Sequence, residues 1–340
     1  MGTTIEKLTK VLQTKETIRT AINNKGGTLT ESDTFSSYAT AIDNIQTGSE
    51  EVTLNAFLSV TGYTGNLFER NNMANITTEQ LNNILKYETT SGIRTAAMFH
   101  GCKNITTIPL IDTSSSTSTV EMFRECSSLI TIPALDISNA KETYYMFYNC
   151  TSLTSIPALD LRSSTNTAMM FEGCSKLTEI GALDTRSATQ MNSMFSGCKS
   201  LITISALDTS SCTNMNSMFD NCQKLTTIPQ LDTSEVTNMS HMFYDCTSLT
   251  SIPALNVSNV TNMDSIFTNC YNLKEIHMTG MKVSFYIGYS NKFTESALVE
   301  ILNNLATVTS TQTLTMDSTN LAKLTDEEKA IATNKGWTLA

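Results

Sequence analysis

Two residue types with metal-binding potential recur through the chain at one fixed interval. Eight of the nine cysteines keep this interval, and six aspartates keep the same one. The cysteines of this series are Cys102, Cys126, Cys150, Cys174, Cys198, Cys222, Cys246 and Cys270, and the aspartates are Asp112, Asp136, Asp160, Asp184, Asp208 and Asp232. Thiolates are ligands for zinc and carboxylates are ligands for calcium. Each series therefore admits a chemical as well as a structural interpretation.

The cysteine spacing favours a structural role. A zinc site uses close pairs such as Cys-x-x-Cys, and no two cysteines here are that near in sequence. Stacked repeats would bring neighbouring cysteines within bridging distance, but with parallel side chains, which suits a disulfide poorly. The eight cysteines continue an apolar face of Met and Phe, and Cys212 occupies the position of Val236 and Val260. We predict buried free thiols that act as small apolar residues, with no metal and no cofactor.

The aspartate series needs compensation, because stacked carboxylates repel one another. A calcium ion is one answer. The other is an Asx-type turn, in which each carboxylate accepts a backbone N–H from the Thr or Ser one or two residues further on. Asn256 occupies the same position without a charge, which favours the turn. Calcium remains an open alternative.

Catalytic residues are not indicated. The three histidines, His100, His241 and His277, lie outside any nucleophile-elbow, phosphate-loop or zinc-protease motif. The many Ser and Thr residues have no base at a suggestive spacing. A hydrolase of cell-wall glycan would need paired carboxylates in a cleft, and a regular repeat array offers no obvious cleft. We predict a protein that is not an enzyme.

Candidate binding residues cluster on one repeat. Its inward positions leave three tyrosines pointing outward together, beside a methionine of the next repeat, and a smaller His–Tyr candidate lies further along the chain. These residues are Tyr144, Tyr145, Tyr148, Met169, His241 and Tyr244. Clustered exposed tyrosines are typical of interfaces and of surfaces that stack on sugars. The alternative is that they are ordinary tyrosines along a row of helices.

A 24-residue repeat must position all of these side chains. A Met-Phe pair marks eight copies, the first at residues 98–99 and the last, altered to Ile-Phe, at 266–267. Within 213–231, apolar residues at i, i+3, i+4 and i+7 predict a short helix that ends at a left-handed Asn221, followed by a short strand. Such units must stack to bury their apolar faces. We predict an α/β leucine-rich-repeat solenoid, a parallel sheet backed by short helices.

The flanking segments predict further units. The expected boundaries are 1–48 for a small helical module, 49–95 for an N-terminal cap, 96–279 for the eight repeats and 280–340 for a C-terminal cap. The helical module either caps the repeats or attaches them to an assembly. In the C-terminal cap we expect a helix after Thr294 and a final helix whose capping box is Thr325 and Glu328.

Composition argues against two classes of partner. The net charge is −10, and 9 Lys and Arg face 16 Asp and Glu over residues 96–279. An acidic surface is a poor match for nucleic acid or for an anionic membrane, and no apolar run is long enough to insert across a bilayer. The N-terminus lacks the apolar region of a secretory signal peptide. We therefore expect synthesis in the cytoplasm and, for any role outside the cell, release by another route such as lysis.

The repeat consensus is Met-Phe-x-x-Cys-x-x-Leu-x-x-Ile-Pro-x-Leu-Asp-x-Ser-x-x-Thr-Asn-Met. It resembles the BspA-type leucine-rich repeats of bacterial surface proteins, and that resemblance implies binding and adhesion rather than catalysis. Residues 1–48, in the run LTKVLQTKETIRTAINNKGG, resemble small helical modules of phage structural and tail-associated proteins. This second resemblance implies a virion protein that is made in the host cytoplasm and reaches the outside when the host lyses.

These observations favour a non-enzymatic binding or structural protein. The first hypothesis is a phage virion component, attached to other virion proteins or to itself through residues 1–48 and presenting its repeats to a host-surface protein or glycan. The alternatives are a BspA-like adhesin on the bacterial cell surface and a purely structural decoration protein of an assembly. A homo-oligomer is compatible with each of them.

Overall fold

The computed structural model describes residues 95–340 and, before them, Arg19, Thr20 and Asn23. The helical module predicted for 1–48 and the N-terminal cap predicted for 49–95 therefore lie almost entirely outside the described residues. The described region comprises the repeats and the segment that closes them at the C-terminus.

The repeat region is a stack in which the backbone of each repeat pairs with the equivalent backbone segment of the next repeat. Two pairs of very short strands show this register. Strand β1 (Ser155–Ile156) pairs in parallel with β2 (Glu179–Ile180), and β3 (Ser251–Ile252) pairs in parallel with β4 (Glu275–Ile276). Single parallel bridges, all but one between residues 24 positions apart, link other neighbouring segments. Short parallel strands with few helices fit a leucine-rich-repeat-like fold.

The helix predicted for each repeat is wrong, because the segment forms tight turns instead. Met215–Met218 and Phe219–Cys222 each close with a 3.1 Å hydrogen bond from the N–H of the last residue to the C=O of the first. The third residue of each turn has a positive φ, 54° at Ser217 and 59° at Asn221. A positive φ at this position is typical of a type II turn and is foreign to an α-helix.

Backbone N–H groups that a helix would use internally reach the next repeat. The Ser217 N–H donates to the Ser240 C=O at 2.9 Å, and the Phe219 N–H donates to the Met242 C=O at 3.0 Å. An isolated helix of two turns is marginal in water. Bonds between repeats satisfy the same backbone groups and also fix the register of the stack.

Each repeat encloses one layer of apolar side chains. The eight repeat phenylalanines, from Phe99 to Phe267, are fully buried and stack along the axis. Neighbouring ring centroids are 5.2–5.9 Å apart, and the ring planes differ by 3–8°. Repeat Met, Cys, Leu and Ile side chains are buried with these rings. Each repeat therefore buries its apolar surface against two neighbours rather than in a central core.

The C-terminal segment closes the stack with helices and a small sheet. Its elements are β5 (Phe285–Tyr286), α1 (Glu295–Asn304), β6 (Gln312–Thr315), α2 (Ser318–Leu321), α3 (Asp326–Thr333) and β7 (Trp337–Leu339). Strands β5, β6 and β7 form a parallel sheet in that order. The expected helix after Thr294 is present, and Thr325 and Glu328 form the expected capping box on α3. Across the part of the chain that the structure describes, no helix has the length and apolar character that a membrane crossing requires.

Candidate functional site

The tight turns of the repeats form one continuous surface, which we call the turn face. It consists of residues 96–101 and of the equivalent segment of every later repeat as far as 264–269. Two positions in every segment have positive φ. The first row is Ala97, Glu121, Tyr145, Met169, Ser193, Ser217, His241 and Ser265, with φ of 54–59°, and the second is Gly101, Glu125, Asn149, Gly173, Gly197, Asn221, Asp245 and Asn269, with φ of 55–77°.

The two rows differ in how well their residues suit this backbone. Gly, Asn and Asp adopt positive φ most readily, and they fill the second row except at Glu125. The first row instead includes Tyr145, Met169 and His241. Three of the six predicted binding residues therefore occupy a left-handed row, whereas the sequence interpretation placed them on helices.

Three tyrosines and an arginine form a cluster on the turn face. The ring centroids of Tyr144 and Tyr145 are 5.7 Å apart and those of Tyr145 and Tyr148 are 5.3 Å apart, both edge to face. The Arg124 guanidinium lies 5.1 Å from the ring centroid of Tyr145 and 5.0 Å from that of Tyr148. All three tyrosines are half-buried. We call these four residues the Tyr–Arg cluster, in which a cation lies over two of three neighbouring rings.

Carboxylates fix the arginine of this cluster. The Arg124 Nη1 lies 2.6 Å from a Glu121 oxygen, and its Nε lies 3.6 Å from Glu125. The other oxygen of Glu121 is 3.5 Å from the His100 Nδ1. Sequence reasoning missed Arg124, although a signal was present. Arg124 precedes Tyr148 by one repeat length, so the two share one position in adjacent repeats.

The other predicted binding residues lie in two places. Met169 is half-buried in the repeat next to Tyr145, at the same position of the first row. The His241 and Tyr244 rings are 5.6 Å apart and tilted by 39°. This pair lies four repeats along the stack from Tyr145. The predicted binding residues therefore form two separate groups on the turn face.

A half-buried carboxyl lies beside the His–Tyr pair. Burial raises the pKa of Asp220 to about 6, because the charged form loses hydration. The charge of Asp245 raises the pKa further, whereas His241 lowers it. Asp220 occupies the position that Ser196 holds in the preceding repeat. Asp220 therefore becomes charged as the pH rises through about 6.

The aspartate series makes turns of the kind that the sequence suggested. Asp112 Oδ1 accepts the Ser114 N–H at 3.0 Å and its hydroxyl at 2.6 Å. The same contacts recur two residues after Asp136, Asp208 and Asp232. The Ser114 hydrogen bonds hold the pKa of Asp112 below its ordinary value.

Arginine replaces serine in two of these turns. The Arg162 Nε donates to Asp160 and the Arg186 Nε to Asp184, each at 2.8 Å. Within residues 95–340, no three His, Cys, Asp or Glu side chains are grouped closely enough to hold a metal ion.

The nine cysteines lie in the interior as free thiols. In seven of the repeats the thiol donates a hydrogen bond to a phenylalanine C=O of the preceding repeat, with S–O distances of 2.9–3.3 Å. Burial raises the pKa of Cys102 to about 12. A thiol that stays protonated is a poor nucleophile and a poor metal ligand, so this series contributes packing and hydrogen bonds.

Comparison with known proteins bears on the repeat region. The family described as "Mycoplasma protein of unknown function, DUF285" matches the chain twice, over residues 66–179 and 165–279. It is a BspA-like repeat family, which agrees with the resemblance drawn from the consensus. No curated protein matches the chain.

Among solved structures, the crystal structure of an internalin (inlF) from Listeria monocytogenes is 13% identical and matches 74% of this chain and 88% of its own, with a TM-score of 0.20. A TM-score this low does not establish a shared fold. The two family matches together span residues 66–279, more than half of the sequence, and the chain therefore belongs to the DUF285 family.

Proposed function

We propose that the chain is a non-enzymatic recognition protein whose turn face binds a partner protein through the Tyr–Arg cluster. The observation that carries this proposal is the stacking of Arg124 on Tyr145 and Tyr148. Tyrosine and arginine are enriched among the residues that dominate the free energy of protein interfaces. Membership of a BspA-like repeat family supports an interaction or adhesin-like role.

The cluster is well suited to binding because it would lose little conformational freedom when a partner binds. The Tyr145 N–H donates to the Ala168 C=O, and the Tyr148 N–H donates to the Tyr145 C=O, both at 3.1 Å. Arg124 is held by its ion pair with Glu121. A backbone and an arginine side chain that are fixed before a partner arrives cost less conformational entropy on binding.

The surroundings of the histidines support a role without catalysis. His100 faces Glu121, His241 faces Tyr244, and His277 faces Glu300. None of these contacts, in the described part of the chain, pairs a histidine with a serine, threonine or cysteine nucleophile. A histidine held by a carboxylate or an aromatic ring has an ordinary structural explanation.

For the biological setting we propose a phage virion, in which residues 1–48 attach the chain to other virion proteins or to itself. The resemblance of residues 1–48 to modules of phage structural proteins supports this setting. A BspA-like adhesin on the bacterial surface is the second candidate, and the family match favours it because BspA-like repeat proteins are often surface-exposed.

The setting is tested by locating the protein with a specific antibody. We expect a signal in purified virions and none on intact uninfected cells of the same strain. The reverse pattern would replace the virion setting with the adhesin. Absence of the signal from both virions and cells would contradict both settings.

The function itself is tested with fluorescently labelled full-length protein and a panel of intact bacterial strains. We expect saturable binding to at least one strain, and loss of that binding after the cells are treated with protease. Binding that survives protease treatment would contradict a protein partner. Failure to bind any strain would contradict recognition at the host surface.

A further inference from the structure

A second group of aromatic side chains lies where the last repeat meets the C-terminal segment. Tyr271, Tyr286 and Tyr289 are 49%, 39% and 39% exposed, and they are among the exposed large hydrophobic residues of the described part of the chain. The ring centroids of Tyr286 and Tyr289 are 4.9 Å apart and those of Tyr271 and Tyr289 are 6.2 Å apart, both edge to face. We call these three residues the tyrosine platform. The turn face does not include it, and of its three members only Tyr271 lies within the repeats.

The loop that carries Tyr289 is firmly held. Buried Ser290 donates its hydroxyl to the Leu273 C=O at 2.6 Å, and the Asn320 side chain donates to the Ser290 C=O at 2.6 Å. The Lys323 Nζ donates to the Asn291 C=O at 2.9 Å. The Ser290 hydroxyl and two side chains at and just after α2 therefore fix the backbone that directly follows Tyr289.

A glycine supplies the space for one ring of the platform. A Cβ atom added to Gly288 would lie 2.6 Å from the Tyr286 ring carbon Cζ and 2.6 Å from its hydroxyl oxygen. The φ of Gly288 is not in the left-handed region, so the backbone itself does not require glycine here. The absence of a side chain at Gly288 instead permits the hydroxyl end of the Tyr286 ring to lie close to the loop.

The surroundings of the platform are rich in hydroxyl and amide groups. Tyr286 also lines a shallow depression of about 190 Å³, whose other lining residues include the hydroxyl residues Ser265, Ser284, Thr313 and Thr315 and the carboxylate Asp264. At another ring of the platform, the Tyr271 hydroxyl donates to the Asn269 side chain at 2.8 Å. Exposed tyrosine rings beside hydroxyl, amide and carboxylate groups are the complement of an uncharged molecule that has an apolar C–H face and a rim of hydroxyls.

We propose that the tyrosine platform is a binding site for a neutral oligosaccharide. A pyranose ring stacks its C–H face on an aromatic ring, and its hydroxyls bond to the hydroxyl and amide groups beside that ring. This site is separate from the Tyr–Arg cluster, where a cation and three carboxylate or imidazole neighbours favour a protein surface. The proposal therefore does not rest on the function assigned to the turn face.

The test is isothermal titration of the full-length protein with four neutral tetrasaccharides, namely chitotetraose, cellotetraose, maltotetraose and mannotetraose. We expect at least one of them to bind, and Tyr289→Ala to weaken that sugar's affinity by about tenfold or more, because Tyr289 contacts both other rings. Absence of binding by all four sugars, or an unchanged affinity in Tyr289→Ala, would overturn the proposal.

Two further variants separate ring stacking from damage to the fold. Gly288→Ala keeps all three tyrosines but displaces the Tyr286 ring, and it should also weaken sugar binding. Tyr148→Ser removes a ring of the Tyr–Arg cluster and should leave sugar affinity within about twofold of the wild type. Circular dichroism and the unfolding midpoint of each variant show whether it folds. A folded Gly288→Ala variant with unchanged sugar affinity would contradict the role given to the platform.

Discussion

Tyr145 has a φ of 59°, a left-handed conformation that costs a non-glycine residue roughly 1–2 kcal/mol. The stack meets this cost through the hydrogen bonds of the turn and of the next repeat. Backbone strain of this kind is often found where a side chain must be presented in one direction. Here it places an aromatic ring beside Arg124 and between two other tyrosines.

At Asp220 the structure predicts a pH-dependent change in stability. Burial raises the pKa of this carboxyl from 3.8 to about 6 in the folded protein, so the folded state binds the proton more tightly than the unfolded state does. Stability is therefore lost as pH rises from about 4 to about 6, and the loss stays constant above that range. We expect Asp220→Asn to be more stable than the wild type at pH 7.5, and this gain to vanish below about pH 4.

Urea unfolding of the wild type and of Asp220→Asn at pH 4, 5.5 and 7.5 measures this difference. Asp232→Asn is a matched control, because hydrogen bonds to Ser234 lower the pKa of Asp232. This control variant should be less stable than the wild type at pH 7.5. If both variants were less stable than the wild type at pH 7.5, the result would contradict a pKa of Asp220 that is raised by burial.

At the scale of the element, the tight turn and the α-helix make opposite predictions for one substitution. Ser193 belongs to the left-handed row, with a φ of 54°. In a helix, glycine would be about 1 kcal/mol less stable than alanine. In a left-handed turn, glycine avoids a steric cost of about 1–2 kcal/mol that alanine incurs.

We therefore expect Ser193→Gly to be more stable than Ser193→Ala by about 1 kcal/mol in chemical denaturation. The control is the same pair of substitutions inside an α-helix. It must lie in the interior of α1, because Asn304 is the last residue of that helix. Val299 lies in the interior of α1 and is only partly buried. There the alanine variant should be the more stable one. If Ser193→Ala were more stable than Ser193→Gly, the result would contradict the turn and support the helix that the sequence predicted.

The junction between the last repeat and α1 depends on a histidine. His277 occupies the position held by Pro253 one repeat earlier. Its Nδ1 is 2.7 Å from Glu300 on α1, and its Nε2 is 3.7 Å from Glu275 on β4. The hydrogen bond to Glu300 raises the pKa of His277 above 6.5, and both carboxylates add to this effect.

A group whose pKa is raised on folding stabilises the fold below its unfolded pKa, and the contribution is lost as pH rises through the folded value. We expect His277→Gln to be less stable than the wild type at pH 6. The deficit should shrink when the same denaturation curves are measured at pH 8.5. A deficit that grows with pH would contradict the charged contact.

Most of the secondary structure was predictable from the sequence. The exception is the turns of the repeats, and it has a physical cause. The repeat register follows from the spacing of Phe and Cys, and α1 follows from its cap at Thr294 and from the buried stripe of Leu298 and Ile301. The repeat turns were mistaken for helices because apolar residues at i, i+3, i+4 and i+7 suit both. Gly, Asn and Asp at the second-row position were a signal for the left-handed turn.

The candidate site was predictable in composition more than in geometry. The three clustered tyrosines could be assigned to one outward surface from the repeat pattern alone. Their ring contacts with Arg124 come from the neighbouring repeat, and only alignment of the repeats in space reveals them. The tyrosine platform could not be inferred in this way, because Tyr286 and Tyr289 lie after the repeats end.

At the scale of the whole molecule, stability spreads along the stack instead of residing in one centre. Phe195 stacks on Phe171 and on Phe219, at 5.6 and 5.7 Å. Phe195→Ala should therefore cost about 3–5 kcal/mol and disturb repeats on both sides. Phe267→Ala, at the last repeat, should leave the distant repeats protected. Hydrogen exchange along the chain measures both effects, and identical exchange profiles for the two variants would contradict nearest-neighbour stacking.

The central claim is that the Tyr–Arg cluster binds a protein on a cell surface. The most direct measurement is the affinity of labelled full-length protein for a strain that binds it, compared among the wild type, Tyr148→Ser and Ser196→Ala. The same position carries serine at Ser196, two repeats further on, so Tyr148→Ser is compatible with the turn. We predict that Tyr148→Ser weakens binding by about tenfold or more and that Ser196→Ala leaves it unchanged. Equal affinities for the wild type and Tyr148→Ser would contradict the claim.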